Sequence, residues 1–566
     1  MQLTRLRIQN FRGIGKLDLD LDPLTAIIGE NNHGKTSIYD VLGLFLGAGQ
    51  QLEDRRLRWD DFHRPDPSAK PQNVRVVMSF EEARDATPPP TSRAYRPALR
   101  REKGGVNRLH VEFTGDAETR EIQSRFIDAR GRPLTDLDVA AAVTALRKEH
   151  PVFLLRFAQP SGHPRSSHET GQAATEPDHR GRRGLEAQIA RVYQELAKTR
   201  GPVPTRDLED GLDAAHALYA RLREKSPSAN QPMRRMLDQL LDEPMYGRDH
   251  ESHPQRTPRA GSGSHTLGLL MVIGALLDGR GNEVLPDGAS PIVAIEEPEV
   301  HLHPTLLAST WDVIESLGVQ TLVTTNSGEL LSSMKMLQLR RLLRRDERIE
   351  ARRLHAKTLD RTEARRVGYH IGAKRGSVLF ARCWLLVEGE TEFWILRQLA
   401  EVMGYDLEAE GVRIVEFAQC GVQPLVKLAN DLGIEWHVLT DGDDSGASYA
   451  NDAREEMNGA RSGQRLTQLK ERDLERCFWH HGYAEIYMSA ANVTQKRQKS
   501  RDSLPPGRII KKAVRRRSKP HLALLVGEAV AERGPEGVPP ALASVIRTTI
   551  QMAREAIEDG TEAFDR

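Results

Sequence analysis

Gly29–Ser37 reads GENNHGKTS. It fits G-x-x-x-x-G-K-[ST], a loop whose backbone N–H groups wrap phosphates while a lysine neutralises the terminal ones and a hydroxyl holds Mg2+. Lys35 and Thr36 take those two positions, and Gly29, Asn31, Asn32, Gly34 and Ser37 complete the nucleotide-facing set. The flanks agree. Upstream, LTRLRIQNFRGIGKLDLDL (Leu3–Leu21) alternates as a half-buried hairpin and LTAIIGE (Leu24–Glu30) is a short apolar strand, while TSIYDVLGLFLGA (Thr36–Ala48) has helical spacing. Strand, glycine loop and helix follow in the order that a nucleotide-binding α/β unit requires, so an accidental glycine-rich turn explains less.

The 566 residues suggest about three to four domains. With 81 Lys+Arg against 80 Asp+Glu the net charge is +1, so global charge gives no evidence for nucleic acid, and any such binding must use local patches. No apolar run approaches the roughly 18–20 residues of a membrane span, and the N-terminus lacks a signal-peptide layout. The expectation is a cytoplasmic protein with no membrane partner. Cys383, Cys420 and Cys477 are too scattered for a C-x-x-C metal site and read as core thiols.

The centre of the chain differs in character. Ser161–Gly184 is polar and glycine-rich, hence a loop, and LEAQIARVYQELAKTRG and LEDGLDAAHALYARLREK then have helical periodicity. A second loop, Arg248–His265, precedes renewed α/β sequence. PIVAIEEPEVHLHP (Pro291–Pro304) is an apolar strand ending in two carboxylates: Glu296 is expected near Mg2+, and Glu297 is expected to polarise the attacking water. Unpaired carboxylates at a core edge are costly unless a metal or partner compensates. Before that strand, Ser262, Gly263 and Ser264 open an apolar helix and form a potential anion site; after it, TLVTTNSGELL (Thr321–Leu331) is a strand that brings Asn326 to a γ-phosphate.

This order of parts resembles the ATP-binding-cassette ATPases, and NFRGI followed by GENNHGKTS is similar to the branch containing the SMC proteins and the OLD (overcoming lysogenization defect) family. The resemblance adds Arg12 of NFRGI to the nucleotide set and implies a head-to-head homodimer, with Lys35 of one copy and Ser262 of the other enclosing ATP. Two departures stand out. The signature reads SGSH where the superfamily prefers SGGQ or SGGE, and Asn326 replaces the switch histidine. Asn hydrogen-bonds a phosphate but carries no charge, so slow hydrolysis is expected. His301 and His303 have no further ligand at zinc spacing, and EPEVHLHP is similar to the OLD pattern at this place.

From Arg382 a second α/β segment begins. CWLLVEGETEFWILRQLAEVMG is a strand, turn and helix that puts Glu388 at the strand's carboxyl end and Glu392 one turn into the helix on the same side; EWHVLTDGDDSGASYA delivers Asp441 and Asp443 at another strand end. Oxygen-only clusters suit Mg2+ or Mn2+. These residues resemble a Toprim domain, with Glu388 as its glutamate and Asp441-x-Asp443 as its aspartate pair. The resemblance also implies Glu475, in RDLERCFW, as a later acidic ligand and Lys519, in SKP, as a catalytic lysine. The basic run Lys511–Lys519 is either a DNA-backbone contact or a solvated surface.

The expectation is therefore an α/β protein: a cassette ATPase in two parts (1–160 and 256–375) around a loop and helical dimerisation insert (161–255), then a Toprim nuclease domain with helical additions (380–566). The resemblance implies an ATP-regulated, divalent-metal-dependent DNA endonuclease of phage defence or DNA repair, using ATP and Mg2+ or Mn2+. DNA, a second copy and a helicase or other defence protein are the implied partners. An ATP-switched nucleic-acid sensor that does not cut, or an RNA nuclease, stays open.

Overall fold

The computed structural model describes residues 1–47, 56–65, 68–82, 93–102, 105–156, 289–300, 307, 311, 314–315, 318–372, 376–457, 459, 462–493 and 504–558. The expected insert, Ser262, Gly263, His301 and His303 lie outside them. The chain divides into two compact units, Met1–Ala351 and Arg352–Arg566.

In the first unit the alternation of Leu3–Leu21 becomes a hairpin: β1 (Gln2–Phe11) pairs antiparallel with β2 (Ile14–Asp20), Ile8 opposite Leu17. Leu6, Ile8, Leu17 and Leu19 are buried, while Arg5 meets Asp18 at 2.5 Å on the solvated face. There follow β3 (Leu24–Gly29), α1 (Lys35–Leu46), β4 (Val74–Glu81), β5 (Arg100–Arg101), β6 (Asn107–Gly115) and β7 (Ile122–Ile127). Then come α2 (Val139–Glu149), β8 (Val152–Arg156), β9 (Ile292–Glu296), β10 (Gln320–Thr324), α3 (Gly328–Ser332), β11 (Leu339–Arg345) and β12 (Arg348–Arg352).

Among the described residues these strands form one twelve-stranded sheet ordered β5-β6-β4-β1-β2-β12-β11-β3-β10-β9-β8, with β7 beside β6. The run β11-β3-β10-β9-β8 is parallel and the β2-β1-β4-β6 wing antiparallel. Ile38, Val41, Leu42 and Phe45 of α1 are buried, Phe45 stacking on Phe113 with centroids 4.7 Å apart. Each such side chain contributes about 1.5–3 kcal/mol. The Tyr39 hydroxyl donates to the Ile295 carbonyl at 2.9 Å, tying the helix to the end of β9.

The second unit is built on a four-stranded sheet among the described residues, β14 (Val412–Glu416), β13 (Cys383–Val387), β15 (Glu435–Thr440) and β16 (Leu466–Gln468), with all pairs parallel. All five residues of β13 are fully buried, as a central parallel strand covered on both faces requires. Helices α4 (Glu390–Val402), α5 (Val422–Leu432) and α6 (Asp444–Glu455) alternate with the strands. After them come α7 (Leu474–Phe478), α8 (Pro506–Arg516), α9 (Lys519–Arg533) and α10 (Pro540–Glu558). The three cysteines are buried and free. No helix among the described residues is long and apolar enough to cross a membrane. The α/β class with a second, smaller parallel sheet and helical additions is the one expected from the sequence.

Candidate nucleotide and metal centres

Strands β3, β10 and β9 are adjacent and parallel, so their carboxyl ends open on one edge, where ligands gather in open α/β sheets. The chain leaves β3 at Gly29 and reaches α1 through Asn31 and Asn32, both exposed, and Gly34, whose φ of 81° favours glycine. No side chain caps α1, which leaves its first-turn amides open to an anion. Lys35 donates to the Gly29 carbonyl and, at 2.9 Å, to Oδ1 of Asn326. Burial lowers its pKa, against the opposing pull of Glu297, Glu299 and Glu296.

Thr36 Oγ1 donates to Glu296 Oε1 at 2.5 Å, pairing two oxygens suited to Mg2+. Asn326 Nδ2 donates to Glu297 Oε1 at 2.6 Å, and its backbone N–H donates to Glu299 Oε1 at 2.6 Å. Glu297 itself has φ of 49°, uncommon for a non-glycine residue, and its N–H is fixed on the Thr324 carbonyl at 3.0 Å. The structure thus gathers Lys35, Thr36, Glu296, Glu297 and Asn326, with Ser37 half-buried in the first turn. Lysine, open amides and the Thr36–Glu296 oxygens fit a magnesium nucleotide. Arg12 is held at the flank of α1 by Asp40 and, at 2.9 Å, by Asp61.

The second cluster lies at the carboxyl ends of β13 and β15. Glu388 follows β13 directly, and Glu392, in the first turn of α4, turns back to accept the Gly389 N–H at 3.0 Å. Asp441 follows β15, and Asp443 caps α6 by accepting the Gly446 N–H at 2.9 Å. Gly442 between them has no room for a side chain: a Cβ there would sit 2.5 Å from the carbonyl oxygens of Leu469 and Glu471. Glu475 on α7 is 6% exposed, and Lys519 at the start of α9 places Nζ 3.0 Å from its Oε1. Oε1 is buried, with Lys519 as its ion-pair partner and no further hydrogen bond among the described residues.

These groups feel one another. Burial raises Asp441 to about 8, with Glu392, Glu388, Glu475 and Asp473 adding to the shift. Burial also raises Glu388, with Asp443 adding and Lys519 opposing, and raises Glu392. Burial disfavours the charge on Lys519, but Glu475, Glu392 and Asp441 outweigh it and raise its pKa. Among the described residues no three side chains converge into a ready-made metal cage. A crowded carboxylate set with one buried oxygen lacking a further hydrogen bond nevertheless fits a hard divalent cation drawing the groups inward.

Two participants escaped the sequence reading. Glu299, whose pKa burial raises, positions Asn326; the third carboxylate of EEPE was its only signal. Asp473 caps α7, accepting the Arg476 N–H at 2.9 Å, and adds to the field on Asp441, which no local pattern reveals.

Residues 1–378 match the family model "Protein of unknown function (DUF2813)", and 379–443 match "Overcoming lysogenization defect protein-like, TOPRIM domain". The chain is 32% identical over 565 residues to the uncharacterized protein YbjD of Escherichia coli K12, covering 98% of this chain and 99% of that one. To the OLD nuclease of Thermus scotoductus it is 25% identical over 473 residues, covering 78% of this chain and 82% of that one. The C-terminal region of the Xanthomonas campestris OLD protein is 18% identical, covers 31% of this chain and 96% of its own, and has a TM-score of 0.27. By the family model over residues 1–378 and its near full-length relative, the chain belongs to the DUF2813 family, and its residues 379–443 are an OLD-like Toprim domain.

Proposed function

We propose that the protein is an ATP-regulated, divalent-metal-dependent DNA endonuclease. The observation that carries this reading is the meeting of Glu388, Glu392, Asp441 and Glu475, from separate elements, beside Lys519. So many like charges in one partly buried place cost stability unless they serve a cation. These residues and Asp443 would hold Mg2+ or Mn2+, which when bound would supply activation of a water and stabilisation of the leaving 3′-oxygen. Lys519, released from Glu475, balances charge on the transferring phosphate.

In the nucleotide centre, Lys35 and the α1 amides hold the terminal phosphates, with Thr36 and Glu296 as the Mg2+ oxygens. Glu297 polarises the attacking water and Asn326 orients Glu297. A neutral amide in that place makes for slow turnover, suited to switching access. Phosphodiester hydrolysis is already downhill and takes no energy from ATP. Ser262 and Gly263 of a second copy close the site in this reading.

The test is incubation of supercoiled plasmid with purified protein and Mn2+ or Mg2+, with and without ATP. Nicked or linear product that needs the metal and changes in rate with ATP supports the reading. Intact plasmid from a preparation that turns over ATP would sink it.

A further inference from the structure

Helix α8 carries PGRIIKKAVRR. Ile509, Ile510 and Ala513 are buried on one face against the unit, and Arg508, Lys511, Lys512, Arg515 and Arg516 are exposed on the other. Helical spacing puts Arg508, Lys511, Lys512 and Arg515 on a single stripe. None of those four has an ion-pair or hydrogen-bond partner for its side chain among the described residues. The stripe runs on through exposed Arg517 to Lys519, at the edge of the carboxylate cluster, and α8 packs on α7, which carries Glu475.

We propose that this stripe is a seat for the phosphate backbone of duplex DNA, leading one strand to the carboxylate cluster. The inference rests on the endonuclease reading and names the surface that reading leaves open. From Arg508 to Arg515 the helix rises about 10 Å, about three phosphate steps along one strand. Unpaired cations on a fixed helix release counterions from DNA without first breaking internal ion pairs. An anionic membrane is the weaker match, because a surface-binding amphipathic helix inserts its apolar face and that of α8 is already buried.

The test compares the full-length protein with a variant carrying Lys511→Gln, Lys512→Gln and Arg515→Gln, using a fluorescent duplex in EDTA over a salt series. Each lost phosphate contact should remove about 0.9 from the slope of log affinity against log salt, so the variant should lose about 2–3 and bind about tenfold or more weakly. Plasmid cutting by the variant should show a raised KM with kcat near the wild-type value. The single Arg515→Glu variant should shift binding the same way, and unchanged ATP turnover confirms folding. If the wild-type protein cuts plasmid while the variants bind and cut equally well, the seat is overturned and the nuclease stands. If the wild-type protein neither binds nor cuts, both readings fall. Loss of binding to phosphatidylserine vesicles with duplex binding intact overturns the seat in favour of a lipid surface.

Discussion

The two centres sit alike at the carboxyl ends of parallel strands, yet their charges are arranged oppositely. Around the phosphate loop nearly every charged or polar tip has a partner: Lys35 with Asn326, Thr36 with Glu296, Glu297 with the other end of Asn326, Glu299 with its N–H. Around Asp441 the carboxylates face one another, with Lys519 as the cation. The first arrangement is a set of paired groups that a bound nucleotide would have to open. The second is a crowd of like charges that a bound metal would relieve. Nucleotide should therefore change conformation more than stability, and divalent cation should change stability strongly.

The largest expected effect breaks the acidic side alone. Glu388→Ala or Asp441→Ala should reduce metal-dependent cutting by about a thousandfold or more, by loss of a ligand that stabilises the transition state. Gel-resolved plasmid time courses check this. On the other side, Glu297→Gln should retain nucleotide binding but lower ATP turnover by about a hundredfold or more, within the range of general-base removal. Lys35→Ala should instead weaken binding itself, since it strips charge from the β/γ-phosphates. Equilibrium nucleotide binding beside turnover separates the two variants.

Lys519→Ala should slow cutting by about a hundredfold with less effect on metal affinity, and a metal titration showing the reverse would make it a structural partner of Glu475. The smallest effect sharpens the electrostatic contrast. Asp441→Asn relieves crowding among like charges, so it should raise the melting temperature of metal-free protein by a few degrees, on the order of 1 kcal/mol. It should also blunt the rise that Mn2+ produces in the wild type. A variant less stable than wild type without metal would show that the carboxylate holds the fold.

The sequence was most legible where chemistry is local. GENNHGKTS needs one turn of chain to place Lys35 and Thr36, and Glu388, Asp441 and Asp443 follow apolar strands whose buried run ends just before them. Less legible were groups whose role depends on register between distant segments. Glu299 meets Asn326 across 27 positions, and Asp473 acts on a residue of another strand. Strand β11, LRRLLRR, hides its nature because Arg340 is 1% exposed, paired with Asp22 at 2.5 Å and donating to the Asp20 carbonyl. In the wing, Glu112 is fully buried between Arg75 and Arg125. Paired charges inside a sheet defeat a reading based on apolar alternation, because each charge is compensated by a partner far away in the chain.

If one chain carries two chemically separate centres, each should fail alone. Mn2+-dependent plasmid cutting and ATP turnover, measured on the same preparations of wild type, Asp441→Ala and Glu297→Gln, decide this. Asp441→Ala should turn over ATP near the wild-type rate and not cut, while Glu297→Gln should bind ATP without turnover and keep the metal centre able to cut. Asp441→Ala that cuts at the wild-type rate, or that loses both activities while remaining folded, would contradict this separation.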